Sequence, residues 1–126
     1  MTLPLRLSLG AGLVAAATLA GAPASAHHGW AGNVDEVTDM TGTVVEGVRL
    51  AGPHATMKVK VGGDVWDITL APPARAERAG LKEGLIPVGA TVTVRGNRNR
   101  DAARHEMKTI MVRYGERQFD VYPERE

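Results

Sequence analysis

The feature that most narrows the fold is a pair of alternating segments on either side of two glycines. In His54 to Val61, "HATMKVKV", Ala55, Met57, Val59 and Val61 alternate with Thr56, Lys58 and Lys60, the period of a strand with one dry and one wet face. Gly62-Gly63 then supplies the positive φ angles that a two-residue hairpin turn demands, and "DVWDITL" returns with Trp66, Ile68 and Leu70 on one side. The two segments are therefore expected to form a hairpin, with His54 in phase with its wet face.

Further strands flank this hairpin. From Met40, "MTGTVVEGVRL" reads as a first strand whose alternation is interrupted at Gly42, Glu46 and Gly47, as happens where a strand bends or bulges. A curved first strand suits a closed barrel. After the hairpin, Pro73 opens and Gly80 ends a short helix over Pro73 to Ala79. "ATVTVRG" restores strict alternation as a fourth strand, "NRNRDAAR" is a charged loop and "HEMKTIMVRY" a fifth strand. A turn near Gly115-Glu116 lets "RQFDVY" return as a short sixth strand or a docked tail. Three strands, a helix and two more strands is the order an OB-fold requires, with the helix plugging one end. The fold class expected is all-β with one short helix, a small five-stranded OB-like barrel. An SH3-like barrel is the competitor, and it would usually lack the helix. The core is expected to comprise Met57, Val59, Val61, Trp66, Ile68, Leu70, Val92, Val94 and Ile110.

Upstream, residues 1 to 26 have the three parts of a secretory signal peptide: Arg6, an apolar run from about Leu7 to Leu19, and small residues ending in Ala24-Ser25-Ala26. The apolar run is short for a membrane span, which needs about 20 strongly apolar residues. Cleavage after Ala26 makes His27 the new N-terminus, leaves no membrane span and places the mature chain in the periplasm or outside the cell. Residues 27–39 include the weakly periodic "GWAGNVDEVTD" and read as an extended arm; residues 40–126 form the barrel domain. Of the 15 Lys and Arg, Arg6 lies in the leader, so the mature chain balances its 14 Asp and Glu.

That neutrality, with aromatics limited to Trp30, Trp66, Tyr114, Phe119 and Tyr122, argues against nucleic acid as a partner, which wants a basic groove with stacking rings. Cysteine is absent, so thiolate metal sites are excluded. Neither a Gly-x-Ser-x-Gly elbow nor a His-Glu-x-x-His helix occurs, and no catalytic residue is assigned.

Several short motifs together are similar to those of a family of small exported bacterial proteins of unknown function. They are the pair His27-His28, the corner Gly52-Pro53-His54 between the first two strands, Trp66, "APPARAERAGL", "PVGATVTVRG" and "HEMKTIMV". The resemblance implies an exported β-barrel domain and no established activity. Gly52 stands where the family commonly has Asn, and His105 has no expected counterpart.

The chain has four histidines, His27, His28, His54 and His105. A processed N-terminal His offers an α-amine and an imidazole, both able to be neutral donors near physiological pH, and His28 adds a second imidazole. Nitrogen-rich tetragonal surroundings favour Cu(II). Both loops that end in His54 and His105 are expected beside the ligand face of the barrel, and the arm is long enough to run the length of it. The four histidines are therefore the candidate metal ligands, with copper as the metal; Met57, Met107 and Met111 fit the core better than a thioether site. Two other classes compete. One is a metal-free envelope module binding a small ligand, glycan or partner protein; the other, a histidine-brace copper oxygenase, needs a broader substrate platform than so small a chain offers.

Overall fold

A computed structural model describes residues 2–4 and 30–126. Residue 1 and residues 5–29, which hold most of the expected signal peptide and the pair His27-His28, lie outside the described residues. Strands β1 (Asn33–Arg49), β2 (Thr56–Val61) and β3 (Asp64–Thr69) are followed by helix α1 (Pro73–Arg78), then β4 (Thr91–Asn99), β5 (Glu106–Tyr114) and β6 (Arg117–Asp120). A final 3-10 turn covers Pro123–Arg125.

The hairpin forms as the alternation requires, with Val61 opposite Asp64, Val59 opposite Trp66 and Met57 opposite Ile68; Gly62 takes φ 62° at the turn. β1 serves two neighbours. Its first part pairs antiparallel with β4, from Asn33↔Asn99 to Thr43↔Thr91, and its second with β2, from Thr43↔Lys60 to Arg49↔Thr56. The change of partner falls beside Gly42, where a Cβ would collide with the Lys60 carbonyl, so only glycine lets β1 and β2 approach this closely. Register shifts between Val44 and Arg49 coincide with the interruptions at Glu46 and Gly47. These are the bends that the broken alternation implied.

β3 also pairs in parallel with β5, through Asp67↔Glu106, Ile68↔Met107 and Thr69↔Lys108. With β4 antiparallel to both β1 and β5, five strands close into the ring β1-β2-β3-β5-β4, and the helix lies between β3 and β4 in sequence. This is the OB arrangement; the helix and the parallel closing pair set it apart from an SH3-like barrel. β6 pairs with the C-terminal half of β5 from Met111↔Asp120 to Tyr114↔Arg117, along the edge that short β3 leaves bare.

The interior is built from Val44, Met57, Val59, Ile68, Leu70, Val92, Val94 and Ile110, each nearly inaccessible to solvent. Ala76 of α1, Leu81 and Ile86 are equally enclosed and close the end at which β3 finishes. Two of the expected core residues differ. Val61 and Trp66 are half-buried, because both sit beside the Gly62-Gly63 turn at the opposite, open end. The strand also starts earlier than its alternation suggested: Asn33 to Asp39, read as part of the arm, belong to β1.

Candidate functional site

The open end of the barrel is shaped by a bulge in β1. Asn33 pairs with Asn99 and Val37 with Asn97, so Val34, Asp35 and Glu36 on β1 face a single intervening residue on β4. The side-chain amide of Asn97, 7% exposed, donates to the carbonyls of Val34 at 3.0 Å, Asp35 at 3.2 Å and Glu36 at 3.4 Å. Asn33 returns the contact, donating from its amide to the Asn97 carbonyl at 2.8 Å. Next to Asn97, a Cβ on Gly96 would overlap the Lys108 carbonyl, so glycine is what lets β4 kink against β5 here.

Between this bulge and the start of β3 lies a cleft of about 270 Å³. Trp66 and His105 form one wall, their ring centroids 5.1 Å apart and their planes inclined by 35°. The parallel seam holds this wall together, since the Asp67 amide donates to the His105 carbonyl at 2.9 Å. Asp64 lies 3.9 Å from the His105 imidazole. Val34 and Glu36 form the facing rim, and Arg98, Arg100 and Arg104 complete the lining together with Asn99 and Ala102.

The loop between β4 and β5 holds its own shape. The Asn99 side chain accepts from the Asp101 amide at 2.9 Å and donates to a Glu106 carboxylate oxygen at 2.9 Å, and Asp101 accepts from the Ala103 amide at 3.0 Å. Arg104 reaches Glu106 at 3.5 Å and Arg100 reaches Asp35 at 3.9 Å, both exposed pairs. Arg100 also ties down the incoming chain: its backbone amide donates to the Gly32 carbonyl at 2.9 Å and its Nε to the Ala31 carbonyl at 3.2 Å. Trp30, the first described residue of this arm, is clasped on the outer wall, with Arg125 3.8 Å and Lys108 4.9 Å from its ring centroid and Tyr122 meeting it edge-on at 5.2 Å. Burial there lowers the Lys108 ammonium pKa, with the Arg125 charge adding to the effect.

The structure separates the two described histidines. His105 stands level with Asp67 on β3, whereas the residue after His54, Ala55, bonds to Ala71 and Leu70 at the helix end. Four residues of strand, about 13 Å, and two strand spacings, about 10 Å, lie between them. A metal cannot bridge that span, since its bonds to imidazole are about 2 Å long. The expected meeting of the loops that end in His54 and His105 does not occur: the register puts them at opposite ends of β1, one beyond Arg49↔Thr56 and the other beyond Asn33↔Asn99. Met57, Met107 and Met111 are all core residues, as the strand pattern implied. Among the described residues no group of three or more His, Asp or Glu is placed to hold a metal ion. No helix among them is long and apolar enough to cross a membrane.

Sequence reasoning passed over the arginines. They lie in the stretch read only as a charged loop, and their signal was their spacing, at positions 98, 100 and 104 directly before His105.

A closed five-stranded barrel with a lined mouth places the protein among the small OB-like barrels. The chain belongs to a family of unknown function, DUF6152, whose model matches residues 14–108. β6 and the tail behind it lie beyond the matched segment. No curated protein matches the chain.

Proposed function

We propose that the protein is an exported binding module, without enzymatic activity, that holds a small ligand in the cleft at the barrel mouth. What carries this reading is a cavity of about 270 Å³ whose lining joins the paired rings of Trp66 and His105 to three arginines, near the lower size limit of small-molecule sites. A stacking surface supplies area and the arginines supply orientation, while the barrel beneath holds both in place. Amide spectra of the mature chain titrated with a fragment set should show shifts concentrated on Trp66, His105 and Arg98, and Trp66→Ala should abolish them in a protein that remains folded. Shifts scattered over the barrel would sink this reading. Export is supported by the leader that ends at Ala26. The mass of the protein recovered from the periplasm should correspond to a chain starting at His27, and retention of residues 1–26 would overturn it.

A second reading is favoured by the anchoring of Ala31 and Gly32 to Arg100, in the loop that ends at His105. Ala31 is three residues after His28, a reach of about 10 Å. On this reading the terminal amine and imidazoles of His27 and His28 bind Cu(II) with His105 as the barrel's contribution. Paramagnetic resonance of the copper-loaded chain should then change on His105→Ala and not on His54→Ala; a spectrum indifferent to both would reduce the site to a terminal chelate. The corner Gly52-Pro53-His54 serves the fold at the helix end instead. Gly52 adopts φ 79°, a conformation in which Asn is among the best tolerated alternatives, so glycine and the Asn that the resemblance implies at this corner fit the same turn.

A further inference from the structure

We infer that the mouth cleft selects a small oxyanion carried on a planar apolar body, an aryl carboxylate or an aryl phosphate. The inference rests on the cleft being the ligand site and adds the chemistry of what enters it. Among the lining residues three are arginines and one, Glu36, is a carboxylate, so the cavity has an excess of positive charge although the mature chain as a whole is balanced. Two of the arginines are partly engaged at the rim, Arg100 with Asp35 and Arg104 with Glu106, at 3.9 Å and 3.5 Å. Arg98 has no ion pair or side-chain hydrogen bond among the described residues, although it projects from a paired position on β4 opposite Met107. A planar guanidinium carried by a paired strand position at the edge of a cavity, and not engaged by a carboxylate there, is suited to bidentate contact with a carboxylate or phosphate.

The planar half of the ligand follows from the wall formed by Trp66 and His105. Trp66 is only half-buried, and its ring is neither sealed into the core nor left wholly in water. With His105 inclined beside it, it offers a face on which an aromatic ring can stack in the offset or tilted geometry such pairs prefer. A bare phosphate would leave that face wet, and a neutral arene would leave Arg98 unanswered. Both features are used together only by a molecule that is apolar at one end and anionic at the other.

The test uses the mature full-length chain and follows the Trp66 indole and His105 ring resonances. Benzoate, phenyl phosphate, inorganic phosphate and benzamide are the probes. Benzoate or phenyl phosphate is expected to shift both rings, and the stronger of the two identifies the oxyanion. Arg98→Ala should weaken that probe about tenfold, the loss of one charge-assisted contact, and Arg98→Lys should weaken it less. Added salt should weaken it too, because the arginines are exposed. Benzamide binding as well as benzoate, with Arg98→Ala silent, overturns the oxyanion while leaving the cleft a ligand site. Inorganic phosphate matching phenyl phosphate overturns the planar half. If none of the four probes moves either ring, the cleft is not a site for small planar or anionic molecules, and the binding-module reading falls with this inference.

Discussion

Trp66 illustrates how a single residue can satisfy the strand pattern and still serve another purpose. Its parity with Ile68 and Leu70 points it inward, as the alternation indicated, but its place three residues after the turn puts it at the rim, where it lines the cleft and is only half-buried. Parity is local and legible, whereas height in the barrel depends on which strands close over the top. Trp66→Ala is therefore expected to cost about 2 kcal/mol, less than a fully enclosed ring, and Ile110→Ala to cost more, about 3–4 kcal/mol, as seen in urea denaturation midpoints at constant slope. A larger loss for Trp66 would mean that the mouth is closed over it. On the outer face, the Arg95 guanidinium grips Asp39 with both ends, Nε to one carboxylate oxygen at 2.7 Å and Nη2 to the other at 3.1 Å, and holds the Asp39 carboxyl below its ordinary pKa. Because the folded value lies below the unfolded one, the stabilisation is complete above about pH 4 and is lost as pH falls through the folded value. The melting temperature of the parent should exceed that of Asp39→Asn at pH 6, and the gap should close toward pH 2; a gap constant across that range would show that the pair's charge contributes nothing.

At the scale of the element, the bulge in β1 was the least legible part of the fold. "NVDEVTD" has polar residues on both faces, since its partner is the far end of β4 and neither side of that ribbon enters the main core. No period-2 signal can arise there. What organises it is Asn97, a buried amide in a strand, and nothing in the sequence marks that residue apart from its neighbours in a charged loop. By contrast, the bends at Gly42 and Glu46-Gly47 were legible, because a glycine in an otherwise β-branched strand announces a close approach or a bulge. Asn97→Ala should leave three carbonyls with one fewer donor and cost about 1–3 kcal/mol. Amide exchange is expected to accelerate chiefly at Val34, Asp35 and Glu36; uniform acceleration across the barrel would instead make Asn97 a global support.

For the whole molecule, the order of strands and helix was enough to predict the ring, while the position of the histidines around it was not. Placing the loops ending in His54 and His105 requires the tilt and stagger of five strands, which are properties of the closed barrel and of no single segment. β6 and the two residues after it complete the structure from outside the ring: Phe119, Val121 and Tyr122 are buried, and the strand covers the second half of the β5 edge. A chain ending at Gly115 would forfeit about 1.5–3 kcal/mol for each of these side chains, comparable to the total stability of a small domain. It is expected to lose cooperative thermal unfolding by circular dichroism; a sharp transition near that of the parent would make β6 dispensable. The seam between β3 and β5 joins residues 39 positions apart through only three paired positions, and it alone turns an open sheet into a ring. Trp66 and His105 sit on its two sides. A molecule lodged between them and the arginines would work as a clasp, and its departure and the breathing of the seam would be one event, visible as exchange at a single proton, the amide of Asp67.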